Sequence, residues 1–233
     1  MSIAERVKRY VIMVSGLFFI ALGVAFSTKA GLGTSPLSAI PYTLGTLLPQ
    51  ASYGAYVGGF NALLALAQVL ILRSKCNWFD IAQQLVLCAI FGSFVDAAML
   101  IISWLSPSVY PLQVVILALA IASQAFGSYL QLISHVGLMA ADGLCRVLTQ
   151  VTHSDFGRIR VITDSSMAAT ALAMNLVAFH RLLCIREGTI VMAALTGTMV
   201  HLFSKWLTRF EHVLIPQNFA SADDEHPILG NEG

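Results

Sequence analysis

Apolar residues crowd into eight stretches of the chain, near 10–28, 35–49, 55–72, 79–104, 112–133, 138–151, 160–179 and 188–208. Between them lie short breaks rich in Gly, Pro or charge. An untilted helix needs about 20 residues to cross the hydrocarbon of a bilayer. Six stretches reach or approach that length, and two fall short. Pro36, Pro41 and Gly45 interrupt the first short stretch, and Asp142, Gly143 and Arg146 interrupt the second. The pattern predicts an all-α, polytopic transmembrane helix bundle with short or broken helices at 35–49 and 138–151.

The two short stretches are not independent. Sliding one half of the chain onto the other pairs Gly23 with Gly127, Gly33 with Gly137, Ser38 with Asp142 and Tyr42 with Arg146. It also pairs Gly54 with Gly157, Asn61 with Asp164, Gly92 with Gly197 and Asp96 with His201, all at offsets between 103 and 105. This predicts two repeats of four segments each, 1–106 and 112–212, joined by an uncharged linker with two prolines. A polar, acidic tail without apolar periodicity, 217–233, is expected to be disordered. Short or interrupted segments at matching places of two halves are the best sequence pointer to a binding site in a transporter.

Composition narrows the class. The chain is 57% hydrophobic and 11% charged, with a mean hydropathy of +0.78. Soluble domains carry about 25% charged residues, so lipid is the expected solvent. The net charge of +1 comes with no basic stripe, which argues against nucleic acid as a partner. Arg6, Lys8 and Arg9 precede an apolar run that is too long for a signal peptide, so the first segment reads as a retained helix. Basic residues gather on cytoplasmic faces. Six full crossings plus two half-length segments, with the N-terminus cytoplasmic, place Arg6, Lys8, Arg9, Arg73, Lys75, Arg158, Arg160, Lys205 and Arg209 inside, against Lys29, Arg181 and Arg186 outside. Eight full crossings give a weaker asymmetry.

Ionisable groups inside membrane segments cost about 2.5–3.5 kcal/mol on insertion scales and need a reason to be there. Asp96 and its mate His201 read either as coupling or gating groups facing one another across the repeat interface, or as packing hydrogen bonds. Asp142 and Arg146, four apart, share a helix face; they read as a substrate contact or as a self-satisfied ion pair. Asp142 would lie in the first turn of its helix, where the dipole favours negative charge. Ser38 and Tyr42 are the neutral counterparts of that pair. Asn61 and Asp164, early in the helices that follow, are expected to line the same cavity. Glycines at 16, 23, 54, 58, 59, 92 and 197 suit close helix packing. Cys76, Cys88, Cys145 and Cys184 are too scattered for metal-ligand spacing. No nucleophile, metal or nucleotide signature occurs, so neither catalysis nor a cofactor is expected.

The segment Lys29-Ala-Gly-Leu-Gly-Thr-Ser-Pro-Leu-Ser38, after Leu22-Gly-Val24, resembles the YczE/YyaS/YitT family of bacterial membrane proteins, as does Gly188-Thr-Ile-Val-Met-Ala-Ala-Leu-Thr-Gly197. The likeness covers roughly residues 8–208, and departs from the family pattern at Ser38 and Ala140. It implies a multi-pass protein of the bacterial inner membrane, often supposed to be a transporter. The expectation is therefore a small secondary transporter or permease for an unidentified small polar solute. The alternative is a non-transporting accessory or scaffold protein. The lipid bilayer is the expected surrounding, and a homo-oligomer stays open.

Overall fold

A computed structural model describes residues 3–73, 77–134, 136–137, 139–179 and 187–214. The described residues form eight helices and no strand: α1 (Ile3–Ala30), α2 (Pro36–Leu47), α3 (Tyr53–Leu72), α4 (Trp78–Ile101), α5 (Tyr110–Ser134), α6 (Ala140–Thr152), α7 (Phe156–Phe179) and α8 (Glu187–Leu214). Five of them, α1, α3, α4, α5 and α7, are long and apolar enough to cross a membrane, and α8 carries a shorter apolar stretch, Glu187–Val200. At 1.5 Å per residue, the 12 residues of α2 and the 13 of α6 reach only about 18–20 Å. The short helices therefore stand where the broken stretches predicted them. The tail from 217, Cys76, Cys184 and His180 lie outside the described residues.

Local chemistry sets the helix bounds. Pro36 opens α2, where its missing N–H costs nothing. Pro41 removes an amide from the middle of the same helix. The Ser52 hydroxyl caps α3 by accepting from the Ala55 amide at 3.1 Å, and the Asn77 side chain caps α4 through Phe79 at 3.2 Å. His153, with φ 51° and ψ 34°, ends α6 in the left-handed region.

The helices sort into two layers. In one, α1 packs on α5, α1 on α4, and α5 on α8. In the other, α2 packs on α7, α3 on α6, α2 on α3, and α6 on α7. The α3–α4 contact is the main join between layers. In the first layer, Gly16 meets the Gly127 carbonyl and Gly23 meets that of Ala120, so α1 and α5 run antiparallel. At their crossing the Ser123 hydroxyl donates to the Phe19 carbonyl at 2.8 Å. Shifting by 104 turns the Gly16–Gly127 contact into Ala120–Gly23, and the Phe19–Ser123 contact into itself. The packings α1–α4 and α5–α8 exchange in the same way, as do α2–α7 with α6–α3 and α2–α3 with α6–α7.

The start of α1, the end of α3, the start of α4, the end of α5, the start of α7 and the end of α8 share one end of the bundle. Arg6, Lys8, Arg9, Arg73, Arg158 and Lys205 are gathered there, whereas Lys29 is at the other end. Of the glycines singled out for packing, 16, 23, 54, 58 and 92 sit against a neighbouring backbone. Gly59 and Gly197 correct that expectation, since no described atom lies within 4 Å of a Cβ built on either.

Candidate functional site

Both half-length helices begin inside the protein. Ala39 and Ile40 of α2, with Ala140, Ala141 and Leu144 of α6, enter one buried cluster. Leu64 and Ala65 of α3, Met167 and Ala171 of α7, and Cys88 of α4 complete it. The non-helical backbone ahead of each half-helix is held by a helix from the opposite half. The Gly188 amide, at the start of α8, donates to the Leu32 carbonyl at 2.9 Å. The Gln83 side chain, near the start of α4, donates to the Val136 carbonyl at 3.1 Å. These bonds satisfy carbonyls that have no helical partner, in a region where water is scarce.

The polar residues around these starts differ between halves. In the second half the Arg160 guanidinium bridges two carboxylates. One nitrogen donates to Asp142 of α6, and Nε donates to Asp164 at 3.2 Å, one turn along α7. The three side chains are 39%, 32% and 31% exposed, so the cluster is reachable from outside the core. The expected Asp142–Arg146 pair is corrected: Asp142 pairs with Arg160, and Arg146 is exposed on α6. An arginine planar fork reaching back from α7 meets two carboxylates at once, which a neighbour on α6 cannot do. Charge counts along the chain put Arg160 at the membrane surface, and its spacing of four from Asp164 is the signal of a pairing.

In the first half the equivalents are uncharged and closed in. Thr34, Ser38 and Asn61 are at most 2% exposed. The Ser35 hydroxyl donates to that of Ser38 at 2.9 Å. The Asn61 amide nitrogen donates to the Val57 carbonyl of its own helix at 2.9 Å, while Asn61 Oδ1 and Thr34 Oγ1 have no hydrogen-bond partner among the described residues. Tyr42 is half-buried, its ring edge-on to Tyr53 at 5.9 Å. Other buried polar groups carry no signal in the hydropathy pattern. Gln68 and Gln84 bind each other across α3 and α4, and Gln68 Nε2 donates to the Ala140 carbonyl at 3.0 Å. Asn175 of α7 donates to the Thr43 hydroxyl of α2 at 2.7 Å.

Asp96 does not reach across to the other half. Its carboxylate accepts from the Ser52 hydroxyl and from the Gly54 amide at 2.7 Å, closing the start of α3 against α4. Gly54 allows this approach, because a Cβ there would fall 2.0 Å from the Gly92 carbonyl oxygen. His201 lies on α8, and its side chain is outside the described residues.

Neither the curated proteins nor the solved structures contain a match to this chain. A match over residues 7–205, most of its length, shows that the chain belongs to a family described as a family of unknown function, DUF6198.

Proposed function

We propose that the protein is a small secondary transporter or permease for a small polar solute, built from two repeats of opposite orientation. The observation that carries this reading is the pair of half-length helices starting in one shared core, each flanked by polar residues at matching positions. Broken helices near mid-membrane at a repeat interface are the usual architecture of substrate sites in such carriers. The antiparallel α1–α5 contact, which maps onto itself under the 104-residue shift, supports the repeat and its inversion. The gathering of basic residues at one end supports a cytoplasmic N-terminus in a cell membrane, and the likeness to the YczE/YyaS/YitT family fits that location.

Asp142, Arg160 and Asp164 form the charged half of the site. One guanidinium against two carboxylates leaves a surplus negative charge, which suits a proton or a positively charged group on the solute. Ser38, Asn61 and Tyr42 form the neutral half, and Arg146 lies one turn from Asp142 at its edge. Asp96 acts on the shape of the protein through its cap on α3, and His201 is its counterpart on α8. In liposomes the purified protein should move a polar solute, and Asp142→Ala or Asp164→Ala should abolish the flux. Flux equal to wild type in both variants removes the site assignment.

One observation favours the accessory or scaffold reading: the described carboxylates of Asp96, Asp142 and Asp164 all have partners within the chain. On that reading, alanine at Asp96 or Asp142 lowers thermal stability and changes no ligand response.

A further inference from the structure

The two-fold correspondence fails most plainly between α3–α4 and α7–α8. In the first half α3 packs on α4 through Gly54, Gly58 and Gly92, all buried. The corresponding helices of the second half, α7 and α8, are joined by a short connection, yet they do not form a packed pair among the described residues. Gly157 and Gly197, which hold the places of Gly54 and Gly92, are both exposed. Beside Gly197 the α8 face is exposed and carries Leu195, Thr198 and Leu202.

The register of polar residues matches as well. Ser52 precedes α3, and Asp155 precedes α7. Ser52 donates to the Asp96 carboxylate, and His201 holds the place of Asp96 at an offset of 105. In the second half the residue types are exchanged along the sequence: a carboxylate precedes α7, and a histidine takes the place of the aspartate. Asp155 now caps its own helix, accepting from the Arg158 amide at 3.1 Å.

We infer that the start of α7 docks on the Gly197 face of α8 in a second conformation, with Gly157 against Gly197 and Asp155 beside His201, while the Gly54 end of α3 leaves α4 and the Gln68–Gln84 pair at their other end holds. Both contacts close the same two layers, one at each end of the bundle. The α2–α3–α6–α7 layer is internally packed, and it can rock on the α1–α4–α5–α8 layer by exchanging one glycine contact for the other. Such an exchange exposes the half-helix starts to one end of the bundle and then to the other. Its role rests on the transport reading, and its geometry does not.

The test uses full-length protein in liposomes, with Cys76 and Cys184 replaced by serine. Ser52→Cys with Asp96→Cys reports the described contact, and Asp155→Cys with His201→Cys reports the inferred one. Both pairs should form disulfides on mild oxidation, and locking the first should suppress the second several-fold. Gly54→Ala wedges α3 from α4 and should raise the second crosslink several-fold. Where the wedge variant does not fold, spin labels on cysteines placed at the exposed Val161 and Leu202 of the same Cys76- and Cys184-free protein, with Gly54 intact, serve instead, and should show a short-distance population beside the longer one. If the first pair crosslinks, the second pair never does, and the spin labels give one long distance, the inference is overturned. Crosslinks without solute flux in the uncrosslinked protein would overturn transport alone; flux without the second contact would overturn the docking alone.

Discussion

Gly127→Ala should loosen the α1–α5 crossing. A Cβ at Gly127 would lie 2.5 Å from the Gly16 carbonyl oxygen and 2.7 Å from the Ile20 amide nitrogen. Ordinary contact begins near 3.4 Å, so the helices must part by about 0.9 Å. The obstacles are backbone atoms of a long helix and cannot swing aside. Overpacking of this kind costs about 1–3 kcal/mol. The better helix propensity of alanine returns up to about 1 kcal/mol. The net loss is about 1–2 kcal/mol, which lowers the Tm by roughly 2–8 °C in a chain of this size. The assay is thermal unfolding in detergent or nanodiscs, followed by circular dichroism. Gly59→Ala is the control, because nothing described lies within 4 Å of that position; it should unfold at or slightly above the wild-type temperature. Gly16→Ala combined with Gly127→Ala should cost less than the sum, since one separation relieves both clashes. If Gly127→Ala unfolds with Gly59→Ala, the close α1–α5 crossing is wrong.

Arg160→Ala leaves Asp142 and Asp164 without their shared cation and should lower the Tm, whereas Arg146→Ala on the exposed face should leave it nearly unchanged; the same thermal scans decide. Gln68→Leu strips the donor from the Ala140 carbonyl and from Gln84, and should cost about 1–3 kcal/mol in denaturant unfolding, with Gln84→Leu in the same chain recovering part of the loss. Asp96→Ala removes a carboxylate from the start of α3 and should cost about 0.5–2 kcal/mol, while Asp96→Asn, which keeps an acceptor for the Gly54 amide, should fall between it and wild type. The buried thiols of Cys88 and Cys145 should resist a maleimide in the folded protein and react once it is unfolded in denaturant.

The helical class was readable because lipid leaves a chain few choices: every backbone polar group must be satisfied within the segment, so long apolar runs become helices. The short helices were readable for the same reason, since Pro36, Pro41 and the Asp142-Gly143 pair cannot sustain an uninterrupted span. Partners were harder to read. Arg146 and Arg160 are both one helical turn from a carboxylate in sequence, and periodicity gives no ground for choosing between them. Only the packing of α6 against α7 brings Arg160 to Asp142 and leaves Arg146 outside. Asp96 shows the same limit. Its depth in an apolar helix marked it as costly, but whether a neighbour satisfies it depends on how closely α3 approaches α4.

Alone, the sequence determined where helices could form and which two had to be short, because these follow from hydropathy, proline and glycine read along one dimension. Tertiary structure decided what each polar group meets: Asp142 with Arg160, and Asp96 with Ser52 and Gly54. Those outcomes turn on backbone separations of an ångström or two between helices distant in the chain, and a linear pattern carries no measure of that distance.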